Sequence, residues 1–143
     1  MSLSAFPDIN VWVALAVDAH VHQLAARRWW EEYPLEGEIG FCRFTQMGLL
    51  RLLTTPAVMG GDGLSQRAAW RVYDRFGGDP RVRRWAEPPD LEAEFRARTR
   101  ARQAAPKVWA DAYLAAFAAA AGARLVTFDR ALAGLGPALV LSA

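Results

Sequence analysis

Three aspartates carry the first suggestion of chemistry in this chain. Asp8 closes the apolar run of "AFPDINVWVAL", Asp129 closes that of "ARLVTFD", and each is followed by a helical rhythm. In open α/β sheets ligands bind beyond the carboxyl ends of the strands, so an acid that ends one element and opens the next stands where a substrate would arrive. Asp111 falls inside or at the start of "PKVWADAYLAAFAAAAG", the most apolar helical stretch. A lone charge there is costly unless it is paired, bound to a metal or still at the helix end.

Each acid also has an ordinary reading. Aspartate is among the best N-cap residues, and Asp8 and Asp129 both precede helices. Asp111 suits capping less if the helix starts at Pro106, which puts its carboxylate in the second turn. Taken together the three suggest more. Carboxylates gathered at one sheet edge repel each other unless a hard cation lies between them, and Mg2+ or Mn2+ takes such oxygens together with waters and substrate phosphates. A cation held in this way can orient or deprotonate a water for attack on a phosphodiester.

The elements that must position these acids read as an α/β fold with a mostly parallel central sheet flanked by helices, because short apolar runs alternate with helical periodicity. Strands are predicted at "LSAF" (ending before or at Pro7), "EIGFC", "RVRRWAE", "ARLVTFD" and "ALVL". Helices are predicted over "NVWVALAV", "HVHQLAARRWWEEY", "TQMGLLRLLTT" as far as Pro56, "SQRAAWRVYDRF", "PDLEAEFRARTRAR", "PKVWADAYLAAFAAAAG" and "RALAGLG". The glycine-rich "VMGGDGLS" reads as a loop.

Composition bounds the class. With 143 residues, 53% of them hydrophobic and 22% charged, and with no repeat or Ser/Gly-rich divider, one domain over residues 1–143 is expected. No basic residue precedes the first apolar stretch, and Pro7, Asp8 and Asn10 interrupt it, which argues against a secretory signal. The longest apolar run, Leu114 to Ala121, falls short of the roughly 20 residues a bilayer requires, so no membrane association is expected. The single cysteine, Cys42, excludes an internal disulfide and a cysteine-based zinc site and fits a cytoplasmic location. Of the seventeen Lys+Arg, Lys107 is the one lysine; the other sixteen are arginine, the residue shaped to fork onto phosphate.

The segments "PDINVWVALAVDAHVHQLAARRWW", "FTQMGLLRLLTTP" and "VWADAYLAAFAAAAGARLVTFDRAL" look like the three signature blocks of PIN domains. More narrowly, the chain resembles VapC-type toxins of prokaryotic toxin-antitoxin pairs. That resemblance implies a parallel sheet gathering acids around Mg2+ or Mn2+, and a ribonuclease that leaves 5'-phosphate and 3'-hydroxyl ends. Carried over by motif, the first acid is Asp8, the third is Asp111 in "ADAYLAAFA" and the fourth is Asp129 in "TFDRAL". The second belongs in the block that reads "TQMGLLRLLT" here, and Gln46 occupies its glutamate position. Glutamine keeps the length and a carbonyl oxygen but loses one negative charge, which makes it a weakened neutral ligand or an orienter. The resemblance also implies an RNA substrate, a homodimer, and a small antitoxin protein laid across the acidic cleft, commonly presenting an arginine to it.

Other residues are weaker candidates. His20 and His22, two apart on a helix, would not face each other, and the resemblance places them away from the acids. Asn10, Thr45 and Thr127 either orient carboxylates and waters or make ordinary caps and turns. Arg51 and Arg130 could each touch a phosphate or pair with an acid. Arg96, Arg98, Arg100 and Arg102 would be spread around one helix as a solvated face, with RNA contact second. Trp12, Trp29 and Trp109 fall on apolar faces and read as core.

The reading of the sequence is therefore a divalent-metal-dependent endoribonuclease with Asp8 and Asp111 as primary ligands, supported by Asp129 and Gln46. Two rivals stand beside it. One is an interaction protein whose catalysis weakened with loss of the second acid. The other is an α/β phosphohydrolase, disfavoured because a nucleophilic aspartate of that class is followed two residues on by an acid, where this chain has Asn10.

Overall fold

Short segments of three or four residues become the strands of one sheet. In a computed structural model describing residues 3–142, they are β1 (Ser4–Pro7), β2 (Glu38–Phe41), β3 (Val82–Arg84), β4 (Arg124–Thr127) and β5 (Ala138–Val140). All pair in parallel, in the order β3-β2-β1-β4-β5. Pro7 is tolerated because it ends its strand opposite Val126, and the next amide, that of Asp8, donates to the Val126 carbonyl at 2.9 Å.

Helices α1 (Ile9–Ala16) and α2 (Gln23–Glu32) connect β1 to β2, and α3 (Arg43–Leu53), α4 (Pro56–Met59) and α5 (Gln66–Gly77) connect β2 to β3. The chain then returns through α6 (Leu91–Ala97) and α7 (Val108–Ala120) to β4 on the other side of β1, and α8 (Arg130–Ala133) leads to β5. The direction of winding thus reverses between β1 and β4. Such a reversal opens a crevice at the carboxyl ends of the two strands, where doubly wound sheets bind ligands.

Strand alternation divides the core between the two faces of the sheet. Ala5 of β1 and Val126 of β4 join Trp12, Trp29, Ile39, Phe41, Leu49 and Leu53 on the face of α1, α2, α3 and α5. Phe6 and Leu125 point the other way, to Leu114, Phe117 and Leu132. Trp12 stacks on Phe41 with ring centroids 3.7 Å apart, and Phe6 on Phe117 at 4.7 Å. Both faces are therefore packed, and the sheet edge carrying the acids is held from two sides.

Several expectations need correction. Pro56 does not merely stop α3; it occupies the first turn of a further helix, α4, where its missing N–H costs nothing. The histidines precede α2, which begins at Gln23, instead of opening it; Val21 and Leu24, apolar residues at helical spacing that read as a helix face, are 82% and 70% exposed. Helix α6 ends at Ala97, so Arg100 and Arg102 lie in the connection to α7. Trp109 is 56% exposed, whereas Trp12 and Trp29 are core as expected.

Candidate active site

Asp8 leaves β1 and caps α1. Its backbone is extended, and its Oδ1 accepts from the Val11 amide at 3.0 Å. The Thr127 hydroxyl, at the end of β4, donates to Oδ2 at 2.5 Å. Cap and orientation are thus one arrangement: Asp8 is only 4% exposed, and one of its oxygens is fixed by the first turn of α1 and the other by the end of β4. Thr127 itself is fully buried and accepts from the Asp129 amide at 2.9 Å, so one hydroxyl ties the first acid to the loop that carries the last.

Asp129 caps α8, its Oδ1 accepting from the amides of Ala131 at 2.9 Å and Leu132 at 3.4 Å. The residue is exposed, and its other oxygen makes no hydrogen bond among the described residues. Asp111 lies in the first turn of α7, after Lys107 at the cap position, and makes no capping bond. The positive end of the helix dipole, and not a local bond, favours its charge.

The electrostatics tie the three together. Burial holds the Asp8 carboxyl above the ordinary aspartate range; the bonds from Thr127 and Val11 oppose this, and the charges of Asp129 and Asp111 add to it. Asp111 is raised as well, by burial and then by Asp129. Repulsion of this kind is relieved by a hard cation, and the oxygens present are the right donors for one. Among the described residues, no three His, Cys, Asp or Glu side chains lie together as a group that would hold a metal ion by themselves. Mg2+ and Mn2+ fill their shells with waters and substrate phosphates beside one or two carboxylates.

Gln46 is buried, 2% exposed, on α3. Its Oε1 is taken by Arg43, whose Nη1 donates at 2.5 Å. Thr45 closes the start of the same helix, its hydroxyl accepting from the Cys42 amide at 3.0 Å. Arg51 and Arg130 are exposed.

The histidines are the residues that sequence reasoning misplaced. A cavity of about 350 Å³ at the acidic edge is lined by Asp8, Asn10, His20, His22, Phe128 and Asp129, among others. His20 and His22 face each other across a turn, with ring centroids 5.8 Å apart. The His22 amide donates to His20 Nδ1 at 3.0 Å, and the His22 ring stacks on Phe128 at 4.3 Å. Burial, and then the neighbouring His22, lower the pKa of His20. The signal that could have found them was the pairing of exposed Val21 with two flanking histidines, a turn pattern and not a helix stripe.

The family model described as PIN domain matches residues 5–136. The chain belongs to the PIN domain family. Ribonuclease VapC41 of Mycobacterium tuberculosis is 49% identical over 133 residues, which cover 90% of this chain and 91% of that protein. The PIN fold is shared with two solved structures at low identity. Mycobacterium tuberculosis VapC20, described as a Sarcin-Ricin loop cleaving toxin, superposes with a TM-score of 0.66 at 19% identity, covering 96% of this chain and 99% of that one. VapBC2 from Rickettsia felis, solved bound to a DNA fragment from its promoter, gives 0.70 at 12% identity, covering 97% and 99%. The resemblance seen in the signature blocks is thereby established as membership of the PIN family, of VapC type. Among the described residues, no helix is long and apolar enough to cross a membrane.

Proposed function

We propose that this PIN domain is a divalent-metal-dependent endoribonuclease and the toxin half of a toxin-antitoxin pair. The observation that carries the reading is Asp8: a buried carboxylate held by donors from the first turn of α1 and the end of β4, under the charges of Asp111 and Asp129, at the crevice where the sheet reverses. The relative named Ribonuclease VapC41, at 49% identity, supports the choice of RNA, and the likeness to VapBC2 supports a VapB-type antitoxin as partner.

Asp8 and Asp111 would hold Mg2+ or Mn2+, with Asp129 in support. A divalent ion so held supplies positive charge to the scissile phosphate and acidifies water. The chain's own residues set up that chemistry. Thr127 fixes Asp8 Oδ2 and, through the Asp129 amide, the start of the last acidic loop. The helix cap at Val11 stops the Asp8 side chain from turning into the core. Asp129 spends one oxygen on its own cap, and its other oxygen, which makes no hydrogen bond among the described residues, would accept from a water or a ribose hydroxyl.

The test is incubation of the protein with a panel of tRNA, rRNA and mRNA in Mg2+ or Mn2+ and in EDTA, with analysis of the ends produced. Metal-dependent internal cleavage leaving 5'-phosphates is expected; an intact panel in every metal would sink the reading. One observation favours the rival of a weakened interaction protein, namely that Gln46 contributes no charge and its carbonyl is already engaged by Arg43. That rival requires tight antitoxin binding with no cleavage of any RNA in the panel.

A further inference from the structure

Two arginines line one cavity at the carboxyl edge of the sheet, on its β2–β3 side. Phe41 of β2 pairs with Arg84, the last residue of β3, and Arg43 follows Phe41 by two residues. Both arginines are exposed, and neither forms an ion pair among the described residues. They line a cavity of about 450 Å³ together with Trp85, Glu87 and Tyr113. Its one carboxylate, Glu87, accepts the Tyr113 hydroxyl at 2.8 Å. Two guanidinium groups therefore face one engaged carboxylate.

Buried Gln46 gives this arrangement its meaning. Its Oε1 accepts from Arg43 Nη1 at 2.5 Å, and with a single such bond the guanidinium keeps most of its other donors. A glutamate at this position would hold Arg43 equally well but would cancel its charge. An amide holds the arginine and leaves the charge unspent.

We propose that Gln46 positions Arg43 so that Arg43 and Arg84 form a binding site for backbone phosphates of a single-stranded RNA, on the β2–β3 side of the cleft. The proposal rests on the ribonuclease reading for the identity of the ligand. It reverses the expectation for Gln46, which becomes a positioning residue for a substrate contact and not a substitute metal ligand. Neighbouring phosphates of one strand can then lie across the sheet edge, one portion at the arginines and the next toward Asp8. Guanidinium forks suit phosphate oxygens.

The test reads binding, not cleavage. Fluorescence anisotropy of a labelled single-stranded RNA is measured in EDTA across a salt series, with the wild type, Gln46→Glu, Arg43→Gln and Arg84→Gln. Arg43 and Arg84 are exposed, so their variants keep the fold even if a buried charge at position 46 does not. Each substitution is expected to weaken binding by roughly three- to tenfold and to flatten the dependence of log K on log salt by about 0.7, the value for one phosphate contact on a single strand. Gln46→Glu together with Arg43→Gln should be no weaker than Arg43→Gln alone. The proposal is overturned if Gln46→Glu binds as tightly as the wild type, if it gains cleavage in Mg2+ or Mn2+, or if the arginine variants keep the wild-type salt slope. RNA that binds with the expected pattern but is never cut leaves the phosphate site standing and sinks the nuclease reading instead.

Discussion

Replacing Thr127 by valine removes one hydroxyl and almost no volume, and with it the bond to Asp8 and the acceptor of the Asp129 amide. In the native protein that hydroxyl donates to Asp8 Oδ2 at 2.5 Å, and both residues are buried. A hydrogen bond to a buried charged group contributes about 1.5–3 kcal/mol. At about 2.1 cal/mol/K per residue, a chain of 143 residues has an unfolding entropy near 0.3 kcal/mol/K at its midpoint. The variant should therefore melt about 5–10 °C lower at neutral pH. The sign of the pH dependence follows from linkage. The Thr127 bond lowers the Asp8 pKa against burial, so losing it moves the folded-state value further up. The stabilisation from Thr127 is present while Asp8 is ionised and disappears as pH falls through the variant's value toward the wild-type one, so the two melting curves converge in acid. Calorimetry over a pH series gives the first quantity, and carboxyl NMR of metal-free protein gives the Asp8 titration directly. Cleavage should fall by about 10- to 100-fold, as for other groups that orient a metal ligand. A variant that melts within 1 °C of wild type and leaves the Asp8 titration unmoved would refute the reasoning.

Other outcomes follow from the same geometry. Arg81, 4% exposed, donates to the carbonyls of Trp30 and Tyr33 and to both Asp79 oxygens while lying over the Trp30 ring. Lysine cannot reproduce that fork, so Arg81→Lys should cost about 2–4 kcal/mol in chemical denaturation and leave RNA binding per folded molecule unchanged. The hydrogen bond from Arg81 lowers the Asp79 pKa, so the stability this pair supplies is full above the ordinary aspartate value and is lost as pH drops through the lowered one. Deleting the pair with Asp79→Asn should flatten acid unfolding in that window. Gly122 ends α7 at φ +66 with open space around it, and Gly122→Ala should cost about 1 kcal/mol from backbone strain alone. Asp8→Asn keeps a good cap while removing a charge that burial disfavours, so at neutral pH it should melt no lower than wild type.

Much of this fold could be read from local pattern, and the exceptions share a cause. The strands were legible because an apolar run ending in Pro7-Asp8 or in Phe128-Asp129 is a short-range signal. Asp8 and Asp129 were placed correctly at strand ends for the same reason, whereas the start of the Asp111 helix was left open between Pro106 and a later residue and falls at Val108, which puts Asp111 in the first turn. Contacts made over long sequence distances were not legible. Nothing near Arg81 announces carbonyls 48 and 51 residues earlier, so a buried arginine passed as one of many surface cations. Thr127 could be named as an orienter of a carboxylate or a water, but not as the partner of Asp8, because that bond spans 119 residues. His20 and His22 were lost because apolar Val21 and Leu24 mimicked a helix face that in fact meets solvent. Gln46 was legible as a departure from the PIN pattern, but its consequence needed Arg43 three residues earlier, a pair at helical spacing that the sequence permitted and did not single out.

The central claim is that Asp8 serves cleavage at some cost to stability. Its most direct test is single-turnover cleavage of the RNA panel by wild type and Asp8→Asn in Mg2+ or Mn2+, with both melting temperatures recorded. The account predicts a loss of at least about 100-fold in the variant, the scale for a group acting in the chemical step, with a melting temperature equal to or above that of wild type. Equal cleavage by the two proteins, with both folded, would contradict it.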